Sequence, residues 1–445
     1  MDMNALIAST GNAVWATVFF LIALSVIVAI HEYGHYIVGR WSGIHAEVFS
    51  LGFGPVIYAR IDKRGTRWQI AAIPLGGYVK FLGDKDAASA PDSAALGSLS
   101  QDQRRRTMYG APLWARTATV AAGPIFNFIL AIAVYAVMAT ASGVPEDKPV
   151  VGALRPFPFD GPSLQVGDEI LAINGAATPD FAAYGAVADA IAAAPAVTYH
   201  IRREGAEMDV QGPHPLPALV GGVSLRSPAF DADIRPGDVV LSVDGTQVYR
   251  FNDMIPLISG KGGAPVDIKL WRDGTVMDFQ LTPKLQDLPK SDLSFETRYV
   301  IGLSNGLLFE PQMRSLHGFE PLTTAINQAW YGVKMTGVSL YSMAVGKISS
   351  CGLSGAIGMA KIAGDAAKSG IETFMMMVAG LSLGIGLLNL FPIPVLDGGH
   401  LMFYAFEAVT GKPPSERFLR VLMTAGLAIV LSFMVFALSN DILCG

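Results

Sequence analysis

His31-Glu32-Tyr33-Gly34-His35 sets two imidazoles four residues apart, with a carboxylate between them. On a helix, residues i and i+4 share a face, so both rings reach one ion, and the intervening glutamate can take a proton from an attacking water. The chemistry this pattern serves is metal-assisted hydrolysis, with His31 and His35 as ligands and Glu32 as base. In soluble proteins the motif arises by chance. Here it lies in an apolar stretch, about two turns from its end and so roughly 10 Å deep. Ionisable side chains at such depth are costly and mark functional sites.

A catalytic zinc takes three protein ligands and keeps a fourth position open. The missing ligand should be another ionisable residue at similar depth. Asp397 qualifies, at the end of the apolar run closed by Asn389-Leu390-Phe391-Pro392-Ile393-Pro394-Val395-Leu396-Asp397-Gly398-Gly399-His400. Pro392 and Pro394 break the helix, which can turn the carboxylate toward a metal. His400 is an alternative ligand, ranked below Asp397 because two histidines completed by a carboxylate are a common catalytic zinc set. Asn389 lies two turns earlier and could steady an oxyanion with its amide, or simply pack between helices. His45, His200, His214 and His317 have no motif around them.

These residues need a membrane to position them. Hydrophobic residues make up 51% of the 445, and charged residues only 16%, against about 25% in soluble domains. Four stretches can span a bilayer, at about 14–39, 113–141, 373–395 and 421–438. The first lacks a basic flank, so it does not read as a cleaved signal peptide. Lys and Arg crowd the loop between spans one and two, ending in Arg104-Arg105-Arg106, and recur as Lys412, Arg417 and Arg420 between spans three and four. Both loops should face the cytoplasm, and both termini the other side. A net charge of −5 argues against a nucleic-acid partner. Cys351 and Cys444 share no CxxC spacing, so no thiolate metal site is expected, nor is a bond between the two.

Residues 44–82 read as β structure near the membrane. Strands at 56–61 and 67–73 flank Asp62-Lys63-Arg64-Gly65, a hairpin turn. Gly52, Gly54, Gly76 and Gly77 permit close backbone approach around it. Residues 84–100 read as a flexible loop. Beyond the second span the chain repeats itself. Leu164-Gln165-Val166-Gly167-Asp168-Glu169-Ile170-Leu171-Ala172-Ile173-Asn174-Gly175 matches Ile234-Arg235-Pro236-Gly237-Asp238-Val239-Val240-Leu241-Ser242-Val243-Asp244-Gly245 in register, with Pro158 and Pro228 upstream. The pattern resembles the PDZ domains of bacterial proteases, which bind extended peptides by strand addition. Both copies replace the usual small residue, with Ser163 and Asp233, and Gly161-Pro162 blurs the first. Residues 325–342 have helical spacing and carry Trp330, Tyr331 and Tyr341, as a helix along the membrane surface or an ordinary packed helix would.

Taken with Gly52-Phe53-Gly54-Pro55, Gly76-Gly77-Tyr78-Val79-Lys80-Phe81 and the NxxPxPxLDGG run, the HExxH motif resembles the site-2 protease family of intramembrane zinc metalloproteases. The repeat resembles its bacterial regulator-of-sigma-E protease branch. The resemblance covers nearly the whole chain. It implies one Zn2+ per chain on His31, His35 and Asp397, Glu32 as base, Asn389 near the substrate, and a β region that presents the substrate as an extended strand. It further implies a bacterial inner-membrane protease. Its substrates would be single-span membrane proteins, such as an anti-sigma factor trimmed by another protease, with remnant signal peptides as further candidates.

The expected fold is a polytopic α-helical membrane protein. It has four transmembrane helices, a membrane-associated β-hairpin region and two extracytoplasmic PDZ-like α+β domains. The expected divisions are 1–112 for the first span with the hairpin region and loop, 113–149 for the second span, 150–216 and 217–285 for the PDZ-like domains, 286–371 for an extracytoplasmic amphipathic segment, and 372–445 for the last two spans. A PDZ adaptor without protease activity explains the repeat but not His31, Glu32 and His35 within a span. A zincin merely anchored by a span lacks a soluble third ligand, and a transporter would show paired repeats among the spans.

Overall fold

The structure, a computed structural model, describes residues 3–84, 99–159, 163–290 and 292–443. The loop expected at 84–100 falls outside these residues except at its ends, as do Asp160-Gly161-Pro162 and Cys444. The chain forms two compact units, residues 1–138 with 319–445, and residues 139–318.

In the first unit, α1 runs Met3–Trp41, α2 Leu113–Ser142, α3 Glu320–Ala344, α4 Ala356–Lys368, α5 Ile371–Asn389, α6 Asp397–Thr410 and α7 Glu416–Leu443. Among the described residues, four of these helices contain segments long and apolar enough to cross a membrane: Gly11–Trp41, Leu113–Ser142, Ile371–Asn389 and Arg417–Leu443. Helix α5 stops at Asn389, short of the run expected to 395. Pro392 and Pro394 lack the N–H a helix needs, and they disfavour helical backbone in the residues before them.

Strand β1 covers Ala46–Ile61 and β2 covers Arg67–Phe81. The turn between them is the expected one, with Asp62 accepting from the Arg64 and Thr66 backbones at 2.8 and 3.0 Å. Each strand bends and pairs twice. Residues 48–51 face 67–70 on one side and 77–80 on the other, while 56–61 run beside 67–71. The result is four strand segments wide, in the order 77–81, 46–51, 67–71, 56–61. Gly52 and Gly54 take left-handed φ values of 90° and 81° at the bend of β1, conformations that a side chain resists. The expected hairpin strand at 67–73 is therefore interior, and the edges are 56–61 and 76–81.

Helix α3 is not a free surface helix. Its Ala325 and Ala329 join Ala131, Val134 and Tyr135 of α2 and Ala379 and Leu383 of α5 in one core, while Trp330 and Tyr331 remain exposed. Helix α4 begins on a buried carboxylate near the end of α7: Asp441 accepts from the Gly355 and Gly358 backbones, both at 2.9 Å. This satisfies N–H groups that the first turn of a helix leaves open. Cys351, just before α4, is disulfide-bonded, contrary to the expectation from sequence.

In the second unit the two repeat copies fold alike. The first sheet has the strand order 176–177, 169–173, 197–203, 206–212, and the second 246–247, 239–243, 266–272, 275–281. The aspartate of each copy is buried on an arginine from its third strand. Asp168 takes Arg203 through two bonds of 2.7 Å, and Asp238 takes Arg272 through two of 2.6 Å. Removing either arginine would strand a buried carboxylate, a loss of about 3–5 kcal/mol. Residues beyond 285 complete both cores: Ile301 enters the second, and Leu308 and Phe309 enter the first. Phe309–Pro311 pairs with Val151–Leu154, and Met313–Arg314 closes on Val144–Pro145.

Candidate metal centre

His31 and His35 lie one turn apart on α1, which turns both rings toward α2. Their Nε2 atoms are 3.2 Å apart. Asp397 brings Oδ2 to 3.2 Å from His31 Nε2 and Oδ1 to 3.5 Å from His35 Nε2. Ligands bound at zinc distances and tetrahedral angles are about 3.3 Å apart, so the three groups already have the spacing of a filled site. Among the described residues they form the one group of three such side chains within 4.8 Å of one another. All are nearly buried, at 12% exposure for the histidines and 17% for Asp397. Asp397 Oδ2 has no hydrogen-bond partner, although His31 Nε2 is close. A buried carboxylate oxygen beside two imidazole nitrogens is a donor set suited to a dication.

Asp397 does not end a helix; it is the first residue of α6. The positive end of the helix dipole favours a carboxylate there. Gly398 and Gly399 let the 390–394 turn fold back on that first turn. A Cβ at Gly398 would lie 2.3 Å from the Phe391 carbonyl oxygen, and one at Gly399 2.3 Å from that of Ile393. Helix α6 is tied to α2 by a bidentate pair, Arg116 to Glu407 at 3.0 and 2.7 Å, with Arg116 also over the Tyr404 ring.

The outer nitrogens of the imidazoles are held by α2. His35 Nδ1 donates to the Thr119 carbonyl at 2.9 Å, which leaves its Nε2 lone pair facing the cluster. His31 Nδ1 lies 3.1 Å from the Asn127 amide nitrogen. Gly123 lies between these two supports. A Cβ there would sit 2.3 Å from His35 Nε2 and 2.8 Å from His31 Cε1. Thr119, Gly123 and Asn127 were not singled out from sequence. Asn127 carried a readable signal, as a polar side chain within an apolar span.

Glu32 projects toward the sheet and takes a hydrogen bond from the Val79 backbone. A Cβ on Gly77 would lie 3.1 Å from Glu32 Cγ, and one on Gly76 2.5 Å from the Phe53 ring. The 76–81 edge therefore runs beside Glu32. Gly52 and Gly54 sit at the bend of β1 and hold no place in the cluster. Asn389 is the last residue of α5, half-buried and outside the three-residue cluster. His400 lies one turn past Asp397, its ring edge-on to Phe403, and is likewise outside the cluster.

The sequence model of peptidase family M50 matches residues 19–433. A Mesorhizobium japonicum protein whose name describes a zinc metalloprotease is 37% identical over 425 residues, covering 95% of this chain and 97% of its own. A Rhizobium meliloti protein of the same description is 36% identical over 426 residues, covering 95% of each chain. The regulator of sigma-E protease RseP of Salmonella typhimurium is 31% identical over 461 residues, covering 97% of this chain and 99% of its own.

Proposed function

The chain belongs to peptidase family M50, and on that footing we propose that it is an intramembrane protease holding one zinc ion on His31, His35 and Asp397. The observation that carries this reading is the convergence of three metal-ligating side chains from α1 and α6 at zinc spacing. When bound, zinc supplies a Lewis acid that polarises the peptide carbonyl and activates water at neutral pH. Glu32 takes the proton of that water and returns it to the leaving nitrogen. Asn389 would steady the developing oxyanion with its amide.

A peptide bond inside a transmembrane helix is shielded, so the substrate must unwind, and its freed backbone groups need partners where water is scarce. We assign that role to the 76–81 edge, with Gly76 and Gly77 allowing the substrate strand close to Glu32. Gly52 and Gly54 shape the sheet behind it. The substrates on this reading are single-span proteins such as an anti-sigma factor, with remnant signal peptides as a second class. The two repeat copies serve as PDZ-like domains that keep out substrates whose external part is still folded.

One reporter experiment tests the function and the gate together. Wild-type protein in vesicles should cut a single-span reporter with a trimmed external part and spare an untrimmed one. Glycines placed in the reporter's span should speed cleavage. Excising residues 146–312 joins the paired residues Pro145 and Met313 and should admit both reporters. No cleavage of trimmed reporter by the wild type would overturn the function. Slower cleavage of trimmed reporter by the excised protein would instead make these domains a peptide-capture device.

The Lys and Arg bias supports an inner-membrane orientation with both termini and residues 139–318 periplasmic. The disulfide at Cys351 supports the same side for the start of α4, because such bonds persist in oxidising compartments. An impermeant thiol reagent on intact spheroplasts should label Glu204→Cys and not Lys63→Cys; the reverse result inverts the topology.

A further inference from the structure

We infer that Asn127 is a positioning residue that sets the tautomer of His31 and so decides whether its Nε2 can accept a metal; this rests on the metal centre proposed above. Asn127 is wholly buried, midway along α2. Its backbone is fixed, because its carbonyl accepts from buried Ser382 of α5 at 2.9 Å and α5 passes so close that a Cβ added at Gly386 would lie 3.1 Å from the Asn127 Cβ. Among the described residues, the polar atom its side chain meets is His31 Nδ1, at 3.1 Å from Nδ2. Its Oδ1 is buried with no hydrogen-bond partner.

With Nδ2 turned to His31, the imidazole must accept at Nδ1 and carry its proton on Nε2, the nitrogen facing His35 and Asp397. That nitrogen then has no lone pair for a cation. A half-turn of the amide exchanges Nδ2 and Oδ1. Oδ1 then accepts from Nδ1–H, the proton leaves Nε2, and the lone pair faces the cluster. The turn exchanges one orphaned amide atom for another, so neither orientation is strongly preferred and a cation can select the second. His35 needs no such device, because the Thr119 carbonyl can only accept and already holds its proton on Nδ1. An amide serves both states of His31 because it offers a donor and an acceptor in one plane.

The test is zinc affinity of the purified full chain, measured by competition with a chromophoric chelator, beside the unfolding temperature of the zinc-free protein. Asn127→Ala should weaken zinc about 10- to 100-fold and leave the zinc-free unfolding temperature unchanged. Asn127→Asp keeps the acceptor in place and should restore affinity to within about threefold of wild type, because an oxygen accepting from Nδ1–H fixes the ring of a ligating histidine. A role in packing alone predicts the opposite order, since a carboxylate buried between α2 and α5 would be at least as damaging as the truncation. Unchanged zinc affinity in Asn127→Ala, or equal loss in both variants, overturns the role of Asn127. A wild-type chain that binds no zinc would overturn the metal centre itself, and this inference with it.

Discussion

Glu32→Gln is expected to keep zinc at the wild-type level and to lower cleavage about 10²- to 10⁴-fold. Glutamine preserves the volume of the side chain, and its carbonyl oxygen can still accept from the Val79 backbone, so the 76–81 edge should hold its place beside α1. What disappears is the basic oxygen that takes the proton from water. The ligand triad is untouched, because Glu32 is not among the three clustered side chains. The double variant His31→Ala, Asp397→Ala should lose zinc and cleavage together. Elemental analysis and reporter cleavage on the same preparations separate the cases. Zinc loss in Glu32→Gln would make it a ligand, near-normal cleavage would remove it as the base, and normal zinc in the double variant would sink the metal assignment.

Gly123→Ala should produce the second-largest effect, from a single methyl group. Its Cβ would lie 2.3 Å from His35 Nε2 and 2.5 Å from Cε1, closer than non-bonded atoms approach. The imidazoles must move or α2 must back away from α1. The second route is resisted, because Gly34 of α1 already lies where a Cβ would be 2.5 Å from the Ala122 carbonyl oxygen. Overpacking of this kind costs about 1–3 kcal/mol, or roughly 5- to 150-fold in zinc affinity if the strain falls on the ligands. Gly380→Ala in α5 is the control, since nothing lies within 4 Å of its Cβ position. Equal zinc affinity in the two variants would show that the α1–α2 contact is looser than described.

The spans, the turn at Asp62 and the three side chains of the cluster were legible in the sequence because each is a local signal. An apolar run long enough for a bilayer, a turn residue between two strands, and an ionisable side chain inside an apolar run are readable without knowing their neighbours. The repeat was legible for the same reason. What Asp168 and Asp238 do in it was not, since their arginines lie more than thirty residues on in the chain.

The sequence alone placed His31, Glu32, His35 and Asp397 within or beside apolar segments and singled them out as candidates for metal chemistry. Only the tertiary structure decided how they meet. It made Asp397 the start of α6 and not the end of α5, because two prolines stop one helix and two glycines let the next fold against the turn. It put 67–71 inside the sheet and left 76–81 as the edge beside Glu32, because each strand bends and pairs twice. It gave α2 the work of holding both imidazoles, through Thr119, Gly123 and Asn127. Contacts of that kind join segments far apart in the chain, and their energies depend on approach distances of a few tenths of an ångström that no local pattern of residues encodes.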